Sequence, residues 1–378
     1  MANKWHDKPP RFLYASNFKF SGLSLQNPPA NFRSMNESKK KLLVIRLSSI
    51  GDIVHALPAV AALGEAFPST EITWAVERRY ACLIEGNPHV RHILKLDTLG
   101  WRGRWGSLET FRQMRRALRA LRNPHFDTAI DFQGLIKSGL IVLLSRAQQR
   151  VGLAGPWLRE PLAGIFYTEK VTPPARRHIV EANLALVEHL GAQAGKWQFP
   201  LPHRAEDEEY AKGQIERMGG GPFVLISPGG GWSRKRWAPS NYAALIKKLD
   251  AEFPGEMVLT GSPSEESMIR EILDAAHSRR ARYLAASITQ YIAMARRASL
   301  FVGGDTGPMH LAAAVGTPVV ALHGPTDPAR NGPFSDEDIA LAGRPEKSRG
   351  RRHPGFLEGI EVDQVMRAIR RRMESQNG

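Results

Sequence analysis

Gly303-Gly304-Asp305-Thr306-Gly307-Pro308-Met309-His310 stands between an apolar run, Ala298 to Val302, and an Ala-rich helical run. The order is strand, glycine turn, helix start. Pro308 suits the first helical position, where its missing N–H costs nothing. The glycines let a ligand approach backbone N–H groups that no intrahelical carbonyl satisfies, and such a site favours an anion, most often a phosphate. A strand-to-helix turn that binds nothing has the same form, so the reading depends on whether the pattern recurs.

It recurs far upstream. Ser48-Ser49-Ile50-Gly51-Asp52 follows the β-rich run Lys41 to Leu47 and precedes a helical pattern of Ile53, Leu57, Val60, Ala61 and Leu63. Asp52 then lies at the carboxyl end of a first strand, where open α/β sheets place their ligand sites. It is a helix N-cap or a catalytic carboxylate, and one residue can be both.

Between and beyond these turns strands and helices alternate. Glu71 to Val76, Val90 to Leu96 and Phe126 to Asp131 read as strands, and a helix from about Arg176 to Leu190 closes the first half. Gly191 to Pro202, with Pro200 and Pro202 about Leu201, reads as a linker. The alternation restarts with Phe223 to Ser227, Met257 to Thr260, Leu300 to Val302 and Pro318 to Leu322. This is βαβ order, which predicts mostly parallel sheets covered on both faces. The expected units are an extension without assigned fold over 1–40, a Rossmann-like domain over 41–195 and a second over 203–355. A terminal helix within 356–378 is expected to pack back on the first domain.

At 378 residues, 42% of them hydrophobic, the chain has length and apolar content for two such domains. A single cysteine, Cys82, excludes an internal disulfide and suits a reducing compartment. No apolar run approaches the roughly 18 residues of a membrane span. The formal net charge of +15 points to an anionic partner, whether nucleic acid, membrane surface or phosphorylated substrate. Its densest block is Trp101 to Trp105 and the helical run carrying Arg112, Arg115, Arg116, Arg119 and Arg122. A solvated helix face is the ordinary explanation of such a run. Residues 1–40 are Pro-rich, polar and basic, and lack the apolar h-region of a signal peptide; Met35 is an alternative start.

Two further turns follow strands of the second half. Pro228-Gly229-Gly230-Gly231-Trp232-Ser233-Arg234-Lys235-Arg236-Trp237 is a glycine loop followed by cations, in which Lys235 can meet a diphosphate as a point charge. It is not a Walker A loop. Gly261-Ser262-Pro263-Ser264-Glu265-Glu266 opens a helix with acids that take ribose hydroxyls or favour the helix dipole. HExxH and Cys/His ligand clusters do not occur, so no metal or other cofactor is expected. A departing diphosphate would then need Lys235 and the helix start at Thr306 and Gly307 to stabilise its charge.

The motifs SSIGDIVHALPA at 48–59, WAVE at 74–77, DFQGLIKSG at 131–139, REPLAGIFY at 159–167, GGDTGPMHLAAA at 303–314 and HGPTDP at 323–328 stand in an order that resembles glycosyltransferase family 9. These are the bacterial lipopolysaccharide heptosyltransferases, and REPLAGIFY and QGLIKSG favour the heptosyltransferase I branch. The resemblance implies a GT-B fold, two facing Rossmann-like domains with a cleft between them. It implies metal-independent, inverting transfer of heptose from ADP-L-glycero-D-manno-heptose to a Kdo residue of Kdo-lipid A. Asp52 would be the general base. Lys235 and Ser233 would meet the donor, with Asp305, Thr306 and Gly307 on its sugar and diphosphate and Met309 and His310 lining the pocket. Glu265 or Glu266 would stand in for the family's ribose-binding acid, displaced here by Pro263. Gln133, Lys137, Arg159, Ser49 and Gly51 would face the acceptor, and His178 and Glu181 match the family as well.

The implied setting is the cytoplasmic face of the inner membrane, with the arginine run steering the protein onto its anionic surface. No nucleic-acid module is recognisable. Other family 9 transferases, acting on a first heptose or a protein side chain, share these motifs. A non-catalytic nucleotide-sugar-binding protein and a GT-B epimerase are the readings from other classes.

Overall fold

A computed structural model describes residues 40–375 apart from 104–105, 175–177, 194, 231–235, 344–346, 349–350 and 353–356. Two six-stranded sheets, each wholly parallel, carry the fold. The first is formed by β1 (Lys41–Ile45), β2 (Glu71–Glu77), β3 (His92–Leu96), β4 (Thr128–Asp131), β5 (Gln149–Leu153) and β6 (Glu169–Val171), in the order β3-β2-β1-β4-β5-β6. The second is formed by β7 (Phe223–Ser227), β8 (Glu256–Leu259), β9 (Ala281–Tyr283), β10 (Leu300–Gly304), β11 (Val319–His323) and β12 (Ile339–Ala342), in the order β12-β11-β10-β7-β8-β9. The central strands β4, β7 and β10 are buried along their length and β1 from Leu42 onward, as a sheet covered on both faces requires.

Each sheet reverses its strand order beside its first strand, between β1 and β4 and between β7 and β10. In open α/β sheets such reversals are where ligand crevices form, at the carboxyl ends of the strands. The loop after β1 leads into helix α1 (Ile50–Ala66) and the loop after β10 into a second helix that pack against each other. Three more helices matter for the site: α2 (Leu108–Arg122), α3 (Ile136–Leu144) and α4 (Ile179–Glu188). The helix after β10 is α5 (Gly307–Val315), and the C-terminal helix is α6 (Val362–Glu374).

One apolar cluster runs from the inner face of the first sheet, through Ile53 and Leu57 of α1 and Val180 and Leu184 of α4, to Met309 and Leu311 of α5 and Phe301 of β10. Separate clusters cover the outer face of each sheet. The C-terminal helix corrects one expectation. Instead of returning to the first domain, α6 packs on the helix Pro239–Glu252, β11 and β12. Its stripe of Val365, Met366 and Ile369 closes the outer cluster of the second sheet beside Trp237 and Tyr242. Arg372 then reaches Asp338 Oδ1 at 3.0 Å, and Arg370 pairs with Glu252. The apolar stripe had a bare sheet face to cover where it emerged.

Candidate active site

Asp52 sits in the first turn of α1, three residues after its N-cap Ser49. Its Oδ2 accepts the Ser49 N–H at 3.0 Å and the Ser49 hydroxyl at 3.1 Å, so the N-cap is Ser49 rather than Asp52, and Asp52 is the acid that reaches back to it in a capping box. Its Oδ1 accepts from two guanidiniums, those of Arg46 and of Arg159, the latter at 2.6 Å. Arg46 is wholly enclosed, and it also donates to the Phe132 and Asp52 carbonyls. Arg159 is half exposed. Burial on its own would raise the Asp52 carboxyl; Arg46, Arg159 and the Ser49 donors outweigh it and hold it at about 2.

This folded value lies below the ordinary 3.8. The tie therefore adds stability above about pH 4 and loses it as the pH falls through 2, a contribution on the order of 2 kcal/mol. Arg46→Met leaves the enclosed carboxylate with half its countercharge. It is expected to cost about 3 kcal/mol at pH 7. The difference from wild type should narrow by pH 3, where the variant's carboxyl is protonated. Urea denaturation at the two pH values checks this, and a difference that does not change with pH would count against it.

The remaining residues expected at the acceptor side are distributed unevenly. Gln133 is buried, and its Oε1 accepts the Leu47 N–H at 2.8 Å, bracing the loop that carries Ser49. Lys137 lies in the first turn of α3. Gly51 faces the second sheet's helix α5, where a Cβ would run into the His310 ring. Gly307 does the converse, since a Cβ there would stand 2.9 Å from Ile50 Cβ. Each glycine admits the other helix, and the two helix starts meet face to face.

Of the residues expected to meet the donor, Asp305 closes β10, buried, with its Oδ1 3.0 Å from His310 Nε2. Thr306 is the N-cap of α5, and Gly307 with Pro308 forms its first turn. Here the helix starts one residue before Pro308. Met309 is a correction: its side chain has no exposed surface and belongs to the apolar cluster beneath α5, so it does not line the cleft. Helical geometry turned it inward, opposite the turn that would meet a ligand. Ser233 and Lys235 lie outside the described residues. Glu265 ties two loops together, its Oε1 accepting the Gly230 N–H at 2.7 Å and its Oε2 the Ser262 N–H at 2.8 Å. In this arrangement it shapes the glycine loop after β7 with the same carboxylate that ribose would need.

His310 continues across the interface. Its Nδ1 lies 3.2 Å from His55 Nε2 on α1, giving a chain Asp305–His310–His55 from one domain to the other. His178, at the N-cap of α4, lies with its Nε2 3.1 Å from the Gly332 carbonyl oxygen, and its ring and those of His55 and Phe334 meet edge to face. Burial drives His55 well down and holds His178 at about 4, so both are neutral at pH 7. Glu181 accepts the His178 N–H, which is a capping role.

Two functional candidates escaped the sequence reading. Arg46 was detectable, because an arginine inside an otherwise apolar strand run must find a buried counter-charge. Arg330, two residues beyond HGPTDP, stacks its guanidinium on Trp157 of the first domain with 5.0 Å to the ring centroid. Burial and then Arg159 lower its pKa, and Asp52 opposes that, so all three share one electrostatic neighbourhood. Among the described residues no group of three or more His, Cys, Asp or Glu side chains is placed to hold a metal ion.

A family model described as glycosyltransferase family 9 (heptosyltransferase) matches residues 114–357. A lipopolysaccharide core heptosyltransferase, OpsX, of Haemophilus influenzae is 25% identical over 309 residues, covering 81% of this chain and 85% of its own. Lipopolysaccharide heptosyltransferase 1 of Pseudomonas aeruginosa is 28% identical over 309 residues, covering 80% and 83%. Among solved structures, E. coli heptosyltransferase WaaC with ADP superposes with a TM-score of 0.73 at 24% identity, over 88% of this chain and 99% of that one. E. coli ADP-heptose lps heptosyltransferase II gives 0.70 at 22% identity, over 89% and 100%. Both are similar in fold to the two-sheet architecture described above.

Proposed function

From the premise that the chain belongs to glycosyltransferase family 9 and is a glycosyltransferase, we propose that it moves L-glycero-D-manno-heptose from ADP-heptose to Kdo of Kdo-lipid A. The curated relatives, named as lipopolysaccharide heptosyltransferases, support heptose as the sugar and the lipopolysaccharide core as the destination. One observation carries the chemistry. The turn bearing Asp52 abuts the turn Asp305–Gly307, so a carboxylate and a helix start of the kind that accepts anions stand together from opposite domains.

In this reading the N-terminus of α5 takes the diphosphate, and Lys235 adds a cation to it. Asp52 removes the proton from the acceptor hydroxyl as that oxygen bonds to the anomeric carbon. The bond from that carbon to the β-phosphate oxygen breaks on the opposite face, and ADP leaves. A carboxylate held at about 2 is ionised but a weak base. The half-exposed Arg159 offers the remedy. An acceptor carboxylate that draws Arg159 to itself removes one of the two cations on Oδ1, and Asp52 becomes more basic as the acceptor arrives. Arg46, enclosed, stays and keeps the carboxylate aimed.

The experiment is ADP release from ADP-heptose with and without Kdo-lipid A. Release that depends on the acceptor is the expected result. Donor binding without release on Kdo-lipid A, but with release on a heptosylated core, would move the assignment to a heptosyltransferase II-like acceptor. Failure to bind ADP-heptose would overturn the donor.

A further inference from the structure

The stretch of the second domain that follows HGPTDP touches the first domain at several points. It opens with the short helical turn Pro328–Asn331. The Gly332 carbonyl oxygen then lies 3.1 Å from His178 Nε2. Phe334, buried, stacks on Phe199 of the connection between the domains, with 4.4 Å between ring centroids, and meets His55 and His178 edge to face. Arg330 is carried just ahead of these anchors, and its guanidinium rests on Trp157.

Trp157 fixes where that cation stands. The ring belongs to the turn Gly155–Trp157, two residues before Arg159, whose guanidinium holds Asp52. Glu160 fastens this segment in turn: its N–H donates to the Gly134 carbonyl at 3.1 Å, and its Oε2 accepts the Ile136 N–H at 2.6 Å. Arg159 and Arg330 therefore reach the same place from opposite domains, each on a braced stretch of chain.

Their charge is not balanced by the protein. Among the described residues no carboxylate or carbonyl oxygen bonds to the partly buried Arg330 guanidinium, and an aromatic ring attracts a cation without neutralising it. The carboxylates around it are already engaged. Asp52 is shared by Arg46 and Arg159, Asp131 takes the Tyr167 hydroxyl with the Gln133 and Gly134 N–H groups, and Asp327 caps the turn that carries Arg330. The site holds more guanidinium than carboxylate, so an anionic ligand has to supply the balance. One acidic group is accounted for, the acceptor carboxylate that draws Arg159 from Asp52. Arg330 calls for a second, and Trp157 puts it on the acceptor's side.

We infer that Arg330 is a specificity-determining residue supplied to the acceptor site by the second domain, and that with Arg159 it clamps an acceptor carrying two acidic groups, the second being a phosphate or the carboxylate of a neighbouring acid sugar. The identity of that acceptor rests on the glycosyl-transfer reading above; the clamp itself rests on the two arginines.

Binding is measured first, by isothermal titration of the full chain. The probes are methyl glycosides of Kdo, of phosphorylated Kdo and of a Kdo disaccharide, each with the accepting hydroxyl replaced by hydrogen so that none can react. Wild type should bind one of the two doubly acidic probes about tenfold tighter than the singly acidic one, and which of them it prefers identifies the second group. Arg330→Gln should erase that preference and leave the singly acidic probe unaffected. Its circular dichroism melt should match wild type, since the side chain donates no hydrogen bond within the described structure. Arg330→Lys, which keeps the charge, should restore part of the preference. Equal affinity of wild type for all three probes would overturn the clamp, as would an Arg330→Gln variant that weakens all three alike. So would a loss of ADP-heptose affinity in that variant without acceptor, which would place Arg330 on the donor.

Transfer is measured second, with the accepting hydroxyl present. Arg330→Gln should raise KM for the preferred acceptor about tenfold and leave kcat nearly unchanged. A fall in kcat with KM unchanged would overturn the recognition role. Wild type that prefers a doubly acidic probe yet releases no ADP from ADP-heptose with any acceptor would sink the transfer reading and leave the clamp standing.

Discussion

Asp52→Asn is expected to lower turnover by about 10²–10⁴-fold with ADP-heptose affinity changed little. Asparagine keeps the size of the side chain and one acceptor oxygen for the Ser49 donors, so the cap on α1 survives in large part. What disappears is the negative charge that can take a proton. Arg46 and Arg159 then face a neutral amide, and the enclosed Arg46 loses its main partner. Some stability is therefore lost as well, and the rate must be measured well below the variant's melting temperature. Isothermal titration with ADP-heptose alongside single-turnover transfer separates the two effects. An asparagine variant within threefold of wild type in turnover would remove Asp52 from the proton transfer.

Gly51→Val should be nearly as damaging by a different route. A Cβ at this position already runs into the His310 ring, and valine adds two methyls beyond it. Overpacking of this kind costs about 1–3 kcal/mol, and here the strain falls on the contact between α1 and α5. Roughly ten- to a hundredfold of kcat/KM is expected to go, the rate equivalent of that energy. Asp52 and the turn Asp305–Gly307 are pushed apart while each remains intact. Small-angle scattering should show a larger radius of gyration for the variant, and an unchanged radius with unchanged kcat/KM would refute the coupling. Gly307→Ala, meeting Ile50 from the other side, should show the same pattern more weakly.

The glycine turns were legible because their chemistry is local: an apolar strand run, a residue without a Cβ and a helix start are adjacent in the chain. The central strands were legible for the same reason. Strands β5, β6, β9 and β12 were not, being short, partly polar and near the sheet edges, where one side lacks a neighbour to demand apolar side chains. The chain Asp305–His310–His55 could not be read at all, since His55 and His310 approach only when two domains meet. Leu162 and Ile165 lay in a quoted motif, yet their exposure depends on which side of a 3-10 turn faces α3. Met309 failed for a related reason, because a motif names neighbours in sequence and a helix turns alternate neighbours to opposite sides.

The apolar cluster that passes from the first sheet through α1, α4 and α5 to the second has a consequence for how the molecule can be divided. Cutting the chain in the connection at 191–202 would leave two fragments, each with a wet inner face and neither with a complete interior. Such halves should be insoluble when produced separately and should reconstitute when made together. Calorimetry on the intact chain should show one endotherm, because the sheets share the oil that holds each of them.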